Sequence, residues 1–94
     1  MAALEQADIL QRLSAMHGWS LDSGQITRTY EAQSFHRAAG FVTQIAILAD
    51  AADHHPDIDI RYNTVIIRLS THSENGITEK DFALASRIDE AFIQ

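Results

Sequence analysis

An α+β fold, ordered α-β-β-α-β-β-α with a four-stranded antiparallel sheet and helices packed on one face, is the architecture this sequence predicts. Three segments repeat apolar residues at helical spacing. Two further regions alternate apolar and polar residues on either side of a turn-forming dipeptide, the pattern of β-hairpins. Hairpins with one apolar face need helices to cover that face, and the three helical segments supply them.

The first helix is expected from about Leu4 to Met16, where Ile9, Leu10, Leu13 and Met16 share a face and Glu5, Gln6, Gln11 and Arg12 can meet water. Gly18 fits its C-terminal stop. Trp19, expected in the core, and Leu21 then alternate with Ser20 and Asp22. Ser23-Gly24 makes a two-residue turn into Gln25 to Glu31. Ser34 can accept from the free amides of a second helix running to about His54. Phe35, Ala38, Phe41, Val42, Ile45, Leu48, Ala49 and Ala52 form an apolar band too wide for one sheet contact. It must be covered either deep in the domain or by a partner subunit.

Pro56, which has no N–H and restrains His55 towards extended geometry, is expected to end that helix. Ile58, Ile60 and Tyr62, then Val65, Ile67 and Leu69, read as a second hairpin. With Asn63-Thr64 as its turn, Tyr62 faces Val65, Ile60 faces Ile67 and Ile58 faces Leu69, while Asp59 faces Arg68 on the other side. Extended outward, this register sets His55 opposite His72, and His54 is adjacent. Thr78 is the expected N-cap of a third helix, with Asp81 three residues on as a short capping box and Phe82, Ala85, Ile88 and Phe92 as its buried stripe.

Length and composition bound the function. Ninety-four residues make one domain, 1–94, near the lower limit for a self-sufficient core, so oligomerisation is a live expectation. Forty-six per cent of the residues are apolar and none is cysteine, which leaves no disulfide, thiolate zinc site or cysteine nucleophile and points to a cytoplasmic setting. The N-terminus lacks the basic start and apolar run of a signal peptide, and no apolar stretch is long enough for a membrane span. A net charge of −6 with scattered basic residues disfavours direct nucleic-acid binding.

Chemistry concentrates between Asp50 and His72. Asp50 and His54, four apart, would share a helical face, and a neighbouring carboxylate and the helix C-terminus both favour a protonated imidazole. A histidine that keeps its proton is a candidate general acid, and one without it a candidate base. Asp50, His54, His55 and His72 are also permitted zinc ligands, but neighbouring histidines point apart and no second ligand pair completes a set, so no metal is expected.

These positions also carry a resemblance. Asp50, three spacers, His54-His55-Pro56, a short gap, Tyr62, nine spacers, His72 and the later Asp81 follow the signature of the pterin-4a-carbinolamine dehydratases, which this chain resembles over nearly its whole length. SFHRAAGF before the second helix, LSTH at the end of the fourth strand and the Thr78 to Ile88 stretch belong to the looser likeness. The resemblance implies a lyase that removes water from 4a-hydroxytetrahydropterin to give quinonoid dihydropterin, without metal or organic cofactor, in tetrahydrobiopterin recycling beside an aromatic amino acid hydroxylase. It implies His54 and His72 as the acid/base pair and His55 as a positioning residue. Asp50, Pro56 and Asp81 are then supporting residues: Asp50 orients His54, and Asp81 orients His72 or binds the pterin, besides capping its helix. Tyr62 is expected to pack in the hairpin, and His17 and His36 to be structural. A homodimer joined through a sheet edge, or a tetramer joined through helices, is implied as well. The alternative it leaves open is a non-catalytic dimerisation or regulatory partner of the same fold.

Overall fold

The computed structural model describes residues 2–93. In chain order it holds α1 (Gln6–Ser14), β1 (Ser20–Asp22), β2 (Gln25–Glu31), α2 (Phe35–Ala52), β3 (Asp57–Arg61), β4 (Thr64–Leu69), a 3-10 turn (His72–Glu74) and α3 (Glu79–Ala91). The four strands form one antiparallel sheet in the order β1-β2-β4-β3. This is the expected element order and sheet.

The first hairpin closes as its sequence predicts. Asp22 pairs with Gln25, and Ser23 and Gly24 both take left-handed backbone (φ +53° and +77°), the geometry that matches strand twist across a two-residue turn. Gly18 is needed for a different reason. Its φ is +90°, and the guanidine of Arg28 occupies the space a Cβ would fill as it donates to the His17 carbonyl at 2.9 Å.

The second hairpin turns one residue earlier than expected. Arg61 pairs with Thr64, Ile60 with Val65 and Ile58 with Ile67, so the turn is Tyr62-Asn63 rather than Asn63-Thr64. Asn63 fixes it there, accepting from the Ala32 amide and donating through Nδ2 to the Ala32 carbonyl, both at 2.8 Å. The change slides one strand by two residues, which leaves every side chain on its predicted face. The Asp59–Arg68 ion pair survives at 3.0 Å as a diagonal contact, because Arg68 directly faces Asp57. Tyr62, expected to pack, sits in the turn with φ +54° and is 73% exposed.

Ile26, Tyr30, Val65, Ile67 and Leu69 bury one face of the sheet beneath Ala38, Phe41, Ile45 and Ala49 of α2 and Phe82, Leu84, Ala85 and Ile88 of α3. Tyr30, Phe41 and Phe92 meet at ring-centroid separations of 4.8–5.0 Å, the favourable tilted range. Near the end of α3, Asp89 accepts from Trp19 Nε1 and Arg28, each at 3.0 Å, and from the Tyr30 hydroxyl, tying that helix to β1 and β2. Trp19 is in the core as expected, but Leu10 is not: α1 is shorter than expected at both ends and buries only Ile9. Within one chain most of the broad apolar band of α2 is covered, Phe35 and Ala52 at its ends remain exposed, and so does Ile47 outside it. No described helix is long and apolar enough to cross a membrane.

Candidate active site

The end of α2 sets the geometry. Asp53, not Pro56, stops the helix by turning left-handed (φ +50°, ψ +44°), and the His54 amide donates back to the Ala49 carbonyl at 3.1 Å. This is the closing hydrogen bond of a helix-ending turn that usually carries glycine or asparagine. His54 therefore lies outside the last helical turn, and its expected alignment with Asp50 is lost. The reversal sends the His54 side chain inward, where it is buried, while His55 stays exposed and Pro56 leads into β3.

Each of these two histidines has a carboxylate, but neither pairing is the expected one, in which Asp50 orients His54 and Asp81 orients His72 or binds the pterin. Asp50 meets His55, Oδ1 to Nε2 at 2.9 Å, on the surface. Asp81 meets His54, Oδ1 to Nε2 at 2.5 Å, in the interior. The other oxygen of Asp81 accepts from the Thr78 amide at 2.9 Å, completing the predicted capping box, and from Thr71 Oγ1 at 2.8 Å. Thr71 and Thr78 join hydroxyls at 2.8 Å. Asp81 is fully buried, and among the described residues no buried side-chain nitrogen or oxygen lacks a partner, so its carboxyl group is held in the interior by a satisfied network.

His72 arrives by another route than the one predicted. With the hairpin register shifted, His55 extends opposite Ser70, and β4 stops at Leu69. An isolated pairing of Thr71 with Gly76 then closes a small loop around the 3-10 turn, whose first residue is His72. The imidazole is exposed and has no hydrogen-bond partner among the described residues.

The three histidines nevertheless converge. His54, His55 and His72 line one cleft of about 380 Å³ together with Asp53, Ser70, Thr71, Ser73 and Lys80. Asp50 and Asp81 stand behind the imidazoles, and Pro56 directs the chain. Tyr62 lies at the opposite end of β3 from the cleft. The sequence reading missed Asp53, Ser70, Thr71, Ser73 and Lys80. The polar run that begins directly after the last apolar strand residue, Leu69, was a usable signal for three of them. Among the described residues no three acidic or histidine side chains group as metal ligands, and His54 and His55 each commit Nε2 to a carboxylate.

Such a site can fix one imidazole in a single tautomer and leave another open to exchange protons with water. A family model described as pterin 4 alpha carbinolamine dehydratase matches residues 2–91. A protein of Chloroflexus aggregans, provisionally named pterin-4-alpha-carbinolamine dehydratase, is 54% identical over 91 residues, spanning 96% of this chain and 97% of its own. One of Sulfolobus acidocaldarius with the same provisional name is 43% identical over 86 residues, 92% of this chain and 94% of its own. Among solved structures, a transcriptional coactivator/pterin dehydratase from Brucella melitensis has a TM-score of 0.90 at 37% identity, covering 95% of this chain and 97% of that one. A pterin dehydratase-like protein identified as a RuBisCO assembly factor in the alpha-carboxysome shares the fold, with a TM-score of 0.69 at 22% identity over 81% of this chain and 90% of that one.

Proposed function

This chain belongs to the pterin 4 alpha carbinolamine dehydratase family, and from that premise we propose that it removes water from 4a-hydroxytetrahydropterin by histidine acid/base catalysis, with no metal or organic cofactor. The observation that carries the reading is the cleft on which three imidazoles converge, one of them locked by a buried carboxylate. In the reaction a proton reaches the 4a-hydroxyl, the C4a–O bond breaks and water leaves. The N5 proton departs, and its bonding pair closes the C4a=N5 double bond of the quinonoid product.

His54 is the base. Its Nε2–H donates to Asp81, so Nδ1 keeps its lone pair, and the carboxylate stabilises the imidazolium formed when the N5 proton arrives. His72 is the acid, open to solvent and able to regain its proton between turnovers. His55, oriented by Asp50, positions the substrate. The protein acts as one domain in the cytoplasm and as a homodimer or homotetramer. It takes substrate from an aromatic amino acid hydroxylase and serves tetrahydrobiopterin recycling.

The test is the rate of carbinolamine dehydration by wild type, His54→Ala and His72→Ala. Each substitution is expected to lower kcat by about 10²-fold or more. Near-normal turnover in one variant would remove that residue from its role. A wild type that does not accelerate dehydration would instead favour a non-catalytic partner protein. The exposed groove of Gln44, Ile47, Leu48, Ala91 and Ile93 is the feature that suits this second reading.

A further inference from the structure

The His72 side chain makes no hydrogen bond among the described residues, so its place in the cleft depends on how the ends of its turn are held. Residues 72 to 75 are all exposed. At one end, Thr71 is buried and hydrogen-bonded to Asp81 and Thr78. At the other, Gly76 and Ile77 are met from outside by Ala3 and Leu4, in the segment that precedes α1. We propose that Ala3 and Leu4 form a strap that positions His72 for the reaction, and that residue 76 is glycine so that the strap can lie on the loop. The proposal rests on the dehydratase reading and extends the machinery of the site to a segment distant in sequence.

Backbone accounting shows what Leu4 does. Its amide donates to the Ile77 carbonyl at 2.7 Å, and its half-buried side chain packs against the core. Ile77 is buried, and its carbonyl lies one residue before the N-cap of α3. The N-cap carbonyl of Thr78 is the first that the helix uses, accepting from the Asp81 amide at 3.1 Å, so the helix offers Ile77 no donor. Among the described residues the Leu4 amide is the one backbone donor to that carbonyl. A buried carbonyl left without a donor is costly, so this end of the loop stays in place while Leu4 does.

Gly76 shows how closely the strap lies. Its pairing with Thr71 is uneven: the Thr71 amide donates to the Gly76 carbonyl at 2.7 Å, the Gly76 amide to the Thr71 carbonyl at 3.3 Å. Gly18 and Gly24 have positive φ and Gly76 does not, so its backbone conformation does not call for glycine. Its surroundings do. The Ala3 methyl lies 3.0 Å from the position a Cβ on Gly76 would take, closer than two carbons at their optimal separation. A side chain at 76 would therefore press the strap away from the loop. Ala3 is exposed and free to yield, and the hydrogen bond from its neighbour Leu4 would be strained with it.

The test measures kcat and KM for dehydration of a 4a-hydroxytetrahydropterin, together with urea denaturation, for wild type, Gly76→Ala, Leu4→Pro and the double variant Ala3→Gly/Gly76→Ala. Proline at position 4 removes the amide that donates to Ile77. Gly76→Ala and Leu4→Pro are each expected to lower kcat by about 3- to 10-fold, the worth of one neutral hydrogen bond, with KM within about twofold of wild type. Adding Ala3→Gly is expected to restore the kcat lost in Gly76→Ala, because it removes the methyl group that the new side chain meets. Variants that denature at lower urea but keep the wild-type kcat would overturn the proposal, since the strap would then serve stability alone, and would leave the dehydratase reading intact. Failure of Ala3→Gly to restore kcat would overturn it too, because the glycine would be needed for something other than the strap. A wild type that does not accelerate dehydration would defeat both readings.

Discussion

An imidazole whose Nε2 is committed to a buried carboxylate offers chemistry through Nδ1 alone, and this is the state of His54. Asp81→Asn keeps the shape of the partner but can present an amide N–H where the carboxylate accepted, which favours the opposite tautomer. It is expected to lower kcat by about 10²-fold, the scale on which a positioned acid or base acts, while urea denaturation shows a loss of about 1–3 kcal/mol from weakened capping and buried hydrogen bonds. A kcat within about twofold of wild type would separate Asp81 from the chemistry. The histidines of this candidate site and the carboxylates behind them were legible in the sequence, since they stand at recognisable spacing, whereas the rest of the cleft lining was not. The partnerships between histidines and carboxylates were not legible either. That Asp50 meets His55 and Asp81 meets His54 follows from one left-handed residue, Asp53, and a non-glycine residue in that conformation leaves little trace in a sequence.

At the scale of elements, the second hairpin shows why alternation assigns faces better than partners. A slip of two residues returns each side chain to the same face, and Arg68 reaches Asp59 from either register, so neither criterion could reveal the error. The turn itself can be tested. Tyr62 holds φ +54°, which costs a side chain other than glycine strain, so Tyr62→Gly is expected to raise stability by about 0.5–1 kcal/mol in urea denaturation. Were Tyr62 a strand residue, as the other register requires, the same substitution would lower stability by a similar amount. The dipeptides Ser23-Gly24 and Asn63-Thr64 were both read as two-residue turns, although only the first contains the glycine that such turns favour. Only the first was right, because contacts from Asn63 to the distant Ala32 fixed the second hairpin.

Over the whole molecule, the helical and alternating periods sufficed to give element order and fold class, whereas the polar ties between distant segments left no periodic signal. Asp89 is the chief example, joining α3 to Trp19, Arg28 and Tyr30 across as many as 70 positions of sequence. Burial first, and then the Asp89 carboxylate, push the Tyr30 hydroxyl well above its ordinary range. The folded chain therefore keeps a proton that the unfolded chain releases near pH 10, and the sign follows: stability is intact below about pH 10 and falls above it, by up to about 1.4 kcal/mol per pH unit. Urea denaturation between pH 9 and 11 should show this decline, and Tyr30→Phe should flatten it. An unchanged slope in that variant would assign the alkaline loss elsewhere.

Trp19 is the chain's only tryptophan, and its indole N–H rests on the Asp89 carboxylate of α3. Its fluorescence is therefore an optical gauge of whether α3 is docked, free of interference from any second indole. The first turn of the same helix carries the aspartate that holds His54. Emission followed during denaturation or ligand titration thus reports, without a label, on the element that holds His54 in place. A shift in indole emission that precedes loss of the proposed dehydratase turnover would identify undocking of α3 as the event that ends it.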